Sequence, residues 1–282
     1  MTKILACIDG SIYSESVADH AGWAAGRLGL PVEVLRVLTP HVARSDDRSG
    51  AITAGARRKL LEKLSELDAE RHRLEHDEAW LAVDEARARA LAAGAPETTA
   101  ALRHGDLLET LDEREEDAAL VVVGKRGEAA DFATLHLGSN LERMVRATRR
   151  PMLVTSRAFR PVAKALIAFD GGPAALKAVD DVSRSALYSG LDVALIAVGE
   201  DGGERRRALD AATDQLRAGG VSASARIERG KPEDVIAQAV EGEGFDLLVM
   251  GAYGHSRLRS YIIGSTTSEL IRACRVPIAI YR

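Results

Sequence analysis

The 282-residue chain has few of the features that would mark it as secreted, membrane-spanning or metal-binding. Its two cysteines, Cys7 and Cys274, are too far apart for a CxxC redox or metal motif, and we expect both to be small buried hydrophobes. No apolar run approaches the roughly 18 residues of a membrane-spanning helix, and the run before Asp9 is too short for a secretory signal. These absences predict a cytoplasmic protein without a membrane segment or a metal site.

The net charge and the absence of two common phosphate-binding motifs argue against further classes of protein. With 38 basic and 42 acidic residues, a formal net charge of −4 gives no overall field that would concentrate nucleic acid or an anionic membrane. The sequence contains no GxxxxGK[ST] Walker loop and no GxGxxG dinucleotide fingerprint. Any anion must therefore be bound by a local arrangement of another kind.

An internal repeat organises the chain. Lys3–Gly10 (KILACIDG) matches Lys164–Gly171 (KALIAFDG), and Val121–Gly127 (VVVGKRG) matches Leu248–Gly254 (LVMGAYG) in the same order. A conserved order of matching segments at a fixed offset indicates a duplicated domain. We therefore expect two domains, residues 1–156 and 164–282, joined by a short linker that leaves them in contact.

Short β-rich runs alternate with helical patterns in both copies, which favours βαβ units. Apolar residues make up 46% of the chain and aromatics only 4%, as expected for parallel strands covered by helices on both faces. The sequence predicts an α/β fold in which each domain has a five-stranded parallel sheet of order 3-2-1-4-5. The expected strands are 3–8, 31–37, 98–103, 119–123 and 151–155, then 164–169, 191–198, 222–228, 246–251 and 276–281.

The first domain carries an insertion at about residues 41–97, most of it predicted as one helix over 53–93. This helix has Leu60, Leu67, Leu74 and Leu81 at heptad spacing. It is interpreted either as a long solvated helix that packs its leucines on its own domain or as a helix for a partner or a second copy. His72 and His76 lie four residues apart on it, and in so charged a stretch a solvated face is favoured over a metal site.

The most informative motif lies in the second copy. Gly251-Ala252-Tyr253-Gly254 follows a strand, and nine residues later Gly264-Ser265-Thr266 opens a helix. Glycines let backbone amides approach an anion, while the unpaired amides and positive end of a helix attract it. Hydroxyl groups of Ser265 and Thr266 add donors. The segment therefore predicts a phosphate cradle, with His255 and Arg257 of the intervening loop beside it.

Asp170 stands at the carboxyl end of the first strand of the same copy. In a sheet of order 3-2-1-4-5 this strand neighbours the strand before Gly251, so Asp170 is expected to face the cradle. It would accept hydrogen bonds from ribose hydroxyls or from a base. The alternative is that Asp170 simply caps the helix that begins at Pro173.

These residues resemble the universal stress protein family in its tandem form, and the resemblance covers nearly all of both halves. Its ATP-binding members carry Gly-x2-Gly-x9-Gly followed by Ser or Thr, which Gly251, Gly254, Gly264 and Ser265 match. The resemblance implies that Asp170 is the family's acidic residue at the first strand. It also implies that Val198 is placed like the residue whose backbone meets adenine.

The first copy departs from that pattern. Ten residues, not nine, separate Gly127 from Gly138, and Asn140 replaces the second hydroxyl. Its loop holds two acids, Glu128 and Asp131, against two bases, whereas the second loop holds Arg257 and Arg259 without an acid. We therefore expect the second copy to be the main site. A weaker second site, binding or purely structural, would consist of Asp9, Gly124, Gly127, Gly138 and Ser139.

Three functions follow as hypotheses. The leading one is a nucleotide-binding, stress-response regulator that holds ATP in the second domain, with any Mg²⁺ held by the phosphates and no catalytic residue. The second is a slow ATPase or an adenylyl-transfer enzyme, which lacks support because no carboxylate or lysine lies in the 251–264 loop. The third is an interaction scaffold without nucleotide.

Assembly is inferred from the sheet edges. The last strand of each copy would expose unpaired backbone groups. The resemblance implies that these two strands pair with each other inside one chain. The sequence leaves open whether two such chains form a homodimer.

Overall fold

The computed structural model describes residues 2–39, 54–125, 139–252 and 264–282, with the backbone alone for 54–59 and Ser139. The strands in this part of the chain are β1 Lys3–Ile8, β2 Val32–Leu38, β3 Thr98–His104, β4 Ala118–Gly124, β5 Met152–Thr155, β6 Lys164–Ala168, β7 Asp192–Val198, β8 Ser222–Glu228, β9 Leu247–Gly251 and β10 Ile278–Tyr281. The helices are α1 Ser14–Leu28, α2 Ala54–Ala92, α3 Leu107–Arg114, α4 Ser139–Ala147, α5 Pro173–Arg184, α6 Gly203–Ala218, α7 Pro232–Gly242 and α8 Ser265–Ala273. A short 3₁₀ turn, Ala186–Tyr188, follows α5.

The strands form one sheet in the order β3-β2-β1-β4-β5-β10-β9-β6-β7-β8. Read from its outer edge toward the centre, each half has the predicted 3-2-1-4-5 order, so the α/β fold class is confirmed. The two halves meet where β5 and β10 pair antiparallel, with Leu153 opposite Ala279. Each of these strands would otherwise be an exposed edge of its own half. Because they pair with each other, the two halves form one continuous sheet.

Helices cover both faces of this sheet. One core layer lies between the sheet and α1, α2, α5 and α6, and the other lies between the sheet and α3, α4, α7 and α8. The side chains of successive strand residues point alternately into the two core layers. In β1, for example, Ile4 and Ala6 face the first layer and Leu5 faces the second layer. Strands buried on both faces need near-continuous apolar runs, which explains the sequences LACI and ALIA.

The inserted helix α2 docks through small residues rather than through its leucines. Ala79, Val83, Ala86 and Ala90 are buried, and their spacing of four, three and four puts them on one face against α1. The heptad leucines and their neighbours are between 47% and 66% exposed: Leu60, Leu61, Leu64, Leu67, Leu74 and Leu81. The expectation that these leucines pack on their own domain is therefore wrong.

Length explains this arrangement. At 39 residues, α2 is about 58 Å long at 1.5 Å per residue, far longer than the seven-residue strand β3 that follows it. The C-terminal part covers the sheet and is held to α1 by Arg89, which pairs with Asp19 at 2.7 Å and Glu15 at 2.8 Å. His76 stacks on His104 at the end of β3. The N-terminal part extends beyond this docked region.

The expected burial of the cysteines is found for Cys274 and only in part for Cys7. Both are free thiols; Cys274 is buried and Cys7 is half-buried. Burial raises the pKa of Cys7 to about 12 and that of Cys274 to about 11. Neither is a thiolate at neutral pH. Among the described helices, none is long and apolar enough to cross a membrane.

Candidate functional site

Parallel pairing brings the predicted residues of the second domain to one edge of the sheet. β6 pairs with β7 on one side and with β9 on the other, and all three run in the same direction. Their carboxyl ends therefore lie side by side, which places Val198, Asp170 and Gly251 along one edge. The side chain of Val198 packs on the face that α8 covers.

Asp170 is exposed and lies in a tight turn directly after β6. Its Oδ1 accepts a hydrogen bond of 2.8 Å from the Gly172 amide, and Gly171 between them has a positive φ of 78°. The N-cap of α5 is Gly172, which makes no side-chain cap, with Pro173 opening the helix. The alternative that Asp170 caps this helix is therefore wrong.

Gly251 is required by packing at the end of β9. A Cβ on this residue would lie 2.9 Å from the Ala174 Cβ and 3.3 Å from the Ala175 amide, so the first turn of α5 rests directly on it. Its φ is not in the left-handed region. This glycine permits the close approach of a helix.

Among the described residues, no side chain caps the N-terminus of α8. Gly264 is its N-cap, with φ −56° and ψ 142° and no side chain to bond the first amides. The first helical bond joins the Ser268 amide to the Gly264 carbonyl, so the amides of residues 265–267 have no acceptor within the helix. Ser265 is exposed and Thr266 half-buried, which leaves both hydroxyls near the helix end.

No described neighbour demands a glycine at position 264. A Cβ there would lie 3.6 Å from the Thr267 Oγ1 and 3.9 Å from the Ala252 carbonyl oxygen, which are ordinary contacts. The missing side chain instead keeps open the space in front of three backbone amides and the positive end of α8. Chemically, this arrangement can bind an anion.

Thr267 was not predicted. It is 3% exposed, and its Oγ1 donates a hydrogen bond of 3.1 Å to the Ala252 carbonyl. Ala252 follows β9, and its amide donates to the Tyr281 carbonyl at 2.7 Å. The contact fixes the start of α8 relative to the strand edge. The sequence signal, one more hydroxyl residue in the run STTS, does not distinguish this buried residue from Ser265 and Thr266, which are more exposed.

The remaining predicted residues of this site, Gly254, His255 and Arg257, lie outside the described residues. The structure thus brings together six of the nine: Asp170, Val198, Gly251, Gly264, Ser265 and Thr266.

The first domain repeats the backbone plan at its own edge. Asp9 accepts a hydrogen bond of 3.0 Å from the Ser11 amide, Gly10 has a positive φ of 85°, and Gly124 ends β4. Ser139 opens α4. Gly127 and Gly138 lie outside the described residues.

Two basic residues distinguish the carboxyl edge of the first domain from that of the second. Lys125, at the position of Ala252, donates a hydrogen bond of 2.5 Å to the Cys274 carbonyl at the end of α8. Its ammonium group is thus directed toward the second domain. Arg36, near the end of β2, is only 7% exposed and lies beneath Gly10. Neither role is visible in the sequence, because each depends on a contact with a residue distant in the chain.

Comparison with known proteins identifies the family. The universal stress protein family model matches residues 1–156 and 163–282. A universal stress protein of Synechocystis sp. is 32% identical over 287 aligned residues that cover 100% of both chains. A universal stress protein crystal structure from Archaeoglobus fulgidus superposes with a TM-score of 0.67 at 20% identity, covering 99% of this chain and 96% of that one. A Pseudomonas aeruginosa structure gives a TM-score of 0.60 at 14% identity, covering 100% and 93%. This chain, as its repeated motifs had indicated, belongs to the universal stress protein family.

Proposed function

We propose that this protein is a nucleotide-binding regulator of the stress response and that it holds ATP at the carboxyl edge of its second domain. The observation that carries the proposal is the uncapped N-terminus of α8, opened by Gly264. Its amides and hydroxyls supply donors for phosphate oxygens without any lysine of a Walker loop. Mg²⁺, where present, would be held by the phosphates themselves.

The rest of the nucleotide follows from the same edge. Asp170 is exposed at this edge, and its carboxylate would accept hydrogen bonds from ribose hydroxyls or from the base. The backbone of Val198, at the end of the next strand, would meet adenine. Gly254, His255 and Arg257 would approach the phosphates from the loop between β9 and α8.

The proposal also covers the organisation of the chain. Residues 164–282 form the ATP-binding domain, and residues 1–156 form a related domain with the helical insertion. We propose that the β5–β10 ladder keeps the two domains together in solution. The carbonyl of Leu187, in the second domain, accepts a hydrogen bond of 2.7 Å from Arg27 of the first, which supports this pairing.

Binding without rapid turnover is the expected behaviour. Asp170 is a carboxylate at this edge, and its Oδ1 accepts a hydrogen bond from the Gly172 amide. A general base needs geometry and a free lone pair directed at the attacking water. We therefore expect bound ATP to act as a ligand that biases protein contacts, and any hydrolysis to be slow.

The test is calorimetric titration of magnesium ATP into the purified protein and two variants. Gly264→Asp puts a carboxylate in front of the α8 amides and should abolish binding. Asp is a favourable N-cap residue, so this change should not unfold the protein. Gly202→Asp is the matched control, because Gly202 is the uncapped N-cap of α6 and has no neighbour within 4 Å of a Cβ. Unchanged binding in Gly264→Asp would reject the site.

A second candidate function rests on the exposed leucines of α2. Six of them, 47–66% exposed, lie on a helix that extends beyond its docked region. An interaction scaffold without nucleotide would use this surface. Absence of saturable ATP binding, together with absence of co-purified nucleotide in an extract of the denatured protein, would favour it over the ATP proposal.

A further inference from the structure

A buried arginine lies at the carboxyl edge of the first domain. Arg36, two residues before the end of β2, is 7% exposed, and its Nη1 has no hydrogen-bond partner within the part of the chain that the structure describes. Guanidinium groups keep their charge at all physiological pH values. A buried charge is costly unless it is paired and hydrogen-bonded. A bound anion beside Arg36 would offset this cost.

The Arg36 guanidinium packs against a glycine turn. A Cβ on Gly10 would lie 2.8 Å from the Arg36 Nη2 and 3.1 Å from its Cζ, so the guanidinium lies directly beneath the turn between β1 and α1. This turn leads into the 15-residue helix α1, whose N-cap Tyr13 makes no side-chain cap. The positive end of a helix and a guanidinium repel each other unless an anion shares them.

The acidic residues near this turn have contacts of their own. The Asp9 Oδ1 accepts a hydrogen bond of 3.0 Å from the Ser11 amide. Glu15, in the first turn of α1, pairs with Arg89 of α2 at 2.8 Å. Glu15 thus contributes to the α1–α2 contact.

Comparison of the two domains shows that this charge is not needed for the fold. β1 pairs with β2 as β6 pairs with β7, with Ile4 opposite Val32 and Ala165 opposite Val193. The same register places Ala197 at the position of Arg36, and Ala197 is a 1%-exposed core residue. An alanine fills the equivalent position in the second domain, whereas the first domain has a buried charge there. This difference points to a role of Arg36 in binding.

We propose that Arg36 binds the phosphoryl group of a small molecule beneath the β1–α1 turn of the first domain. Phosphate oxygens match the planar fork of a guanidinium and accept two parallel hydrogen bonds. The alternation of β2 places Arg36 on the face covered by α1 and α2, opposite the face of α4. The site is thus separate from the glycine loop of its own domain, and it does not depend on ATP in the second domain.

The experiment uses full-length protein carrying Gly264→Asp, which removes the second-domain site, with and without Arg36→Met. Thermal unfolding and titration are measured with inorganic phosphate and, separately, with AMP, against chloride of equal ionic strength. Phosphate or AMP should raise the melting temperature of the Gly264→Asp protein. Arg36→Met should weaken this binding by roughly 10- to 100-fold, the loss expected for a charge-assisted hydrogen-bonded pair. An effect of AMP alone would identify the phosphoryl group as that of a nucleotide.

Two further variants make the result decisive. Arg103→Met, on the neighbouring strand β3, removes an exposed guanidinium and should leave binding unchanged. Arg36→Lys keeps the charge but loses the fork, so it should fold and bind about tenfold more weakly. Without anion, Arg36→Met should melt higher than its parent, because a buried unpaired charge is gone. Equal anion binding in parent and Arg36→Met, or no binding of either anion to the parent, would overturn the proposal.

Discussion

The carboxyl edges of the two domains share a backbone plan and differ in their side chains. Both have an aspartate in a glycine turn, a glycine at the end of the fourth strand and a helix that begins with serine. The second edge is lined by Ala197 and Ala252, whereas the first has Arg36 and Lys125 at these positions. Duplication has thus kept the fold and altered the chemistry, so we expect one edge to bind ATP and the other to bind a different anion.

A second contrast lies in the buried layer beside the β5–β10 junction. In the second domain the Tyr281 hydroxyl lies 2.7 Å from that of Tyr188 and donates to Asp181 at 2.5 Å. The positions equivalent to Tyr281 and Asp181 are Thr155 and His20. Thr155 Oγ1 and His20 Nε2 are buried without hydrogen-bond partners among the described residues. The buried hydroxyl groups beside the junction therefore have hydrogen-bond partners in the second domain, whereas Thr155 Oγ1 and His20 Nε2 have none among the described residues of the first.

The largest stability effect should come from Gly251→Ala. The added Cβ would meet the Ala174 Cβ at 2.9 Å, and overpacking of this kind costs about 2 kcal/mol of unfolding free energy. Gly203→Ala, where a Cβ meets no atom within 4 Å, should be neutral or stabilise by less than about 1 kcal/mol. Urea unfolding measures both. Equal stability of the two variants would show that α5 does not rest on Gly251.

Tyr281→Phe and Thr155→Val test the contrast at the junction. Loss of the Tyr281 hydroxyl leaves Tyr188 and Asp181 without their shared partner and should cost about 1.5 kcal/mol. Thr155→Val removes a hydroxyl that has no partner and should be neutral or slightly stabilising. Both are read by urea unfolding. An equal cost for the two variants would contradict the asymmetry.

Asp170→Asn and Asp9→Asn compare the two edges directly. Asparagine preserves the turn, because its carbonyl still accepts from the amide two residues on. ATP affinity measured by calorimetry should fall about tenfold in Asp170→Asn, since charge-assisted hydrogen bonds are the stronger ones. Asp9→Asn should change the ATP affinity by less than about twofold. The reverse order would assign the main site to the first domain.

The smallest effect is a pH dependence confined to acid conditions. Burial lowers the pKa of His20 below its ordinary value of 6.5, and its Nδ1 lies 2.7 Å from the Ser16 carbonyl. The unfolded chain then binds a proton that the folded chain does not, so stability falls as pH drops below about 6.5. His20→Phe should reduce this slope between pH 6.5 and 5 without changing the slope above pH 7. Identical unfolding curves across this range would contradict the buried neutral state.

The sequence predicted the architecture because repeats and strand order are properties of whole segments. Lys3–Gly10 and Lys164–Gly171 match residue by residue, and both begin the first strand of their sheets. Predictions failed where the outcome depends on packing between distant segments. The heptad leucines of α2 indicated a packed face, yet the alanine face docks because it fits closely against α1. The glycine motif includes Gly251, but only the fold shows that Ala174 is its neighbour.

Side chains at the edges were predicted only in part. Asp170, Gly264 and Ser265 follow from local spacing and lie at one edge. Arg36 sits in an otherwise ordinary strand, VEVLRVL, and its burial depends on the turn at Gly10. Lys125 belongs to a loop motif in the sequence but reaches Cys274 in the other domain. Such contacts cannot be read from spacing, because the partners are brought together by the sheet.

The most direct test of the central claim is the stoichiometry of magnesium ATP binding in the wild type, Gly264→Asp and Gly202→Asp. We expect one site per chain in the wild type and in Gly202→Asp, and no measurable binding in Gly264→Asp, with all three proteins folded. Saturable binding that survives Gly264→Asp would contradict the assignment of the nucleotide to the N-terminus of α8.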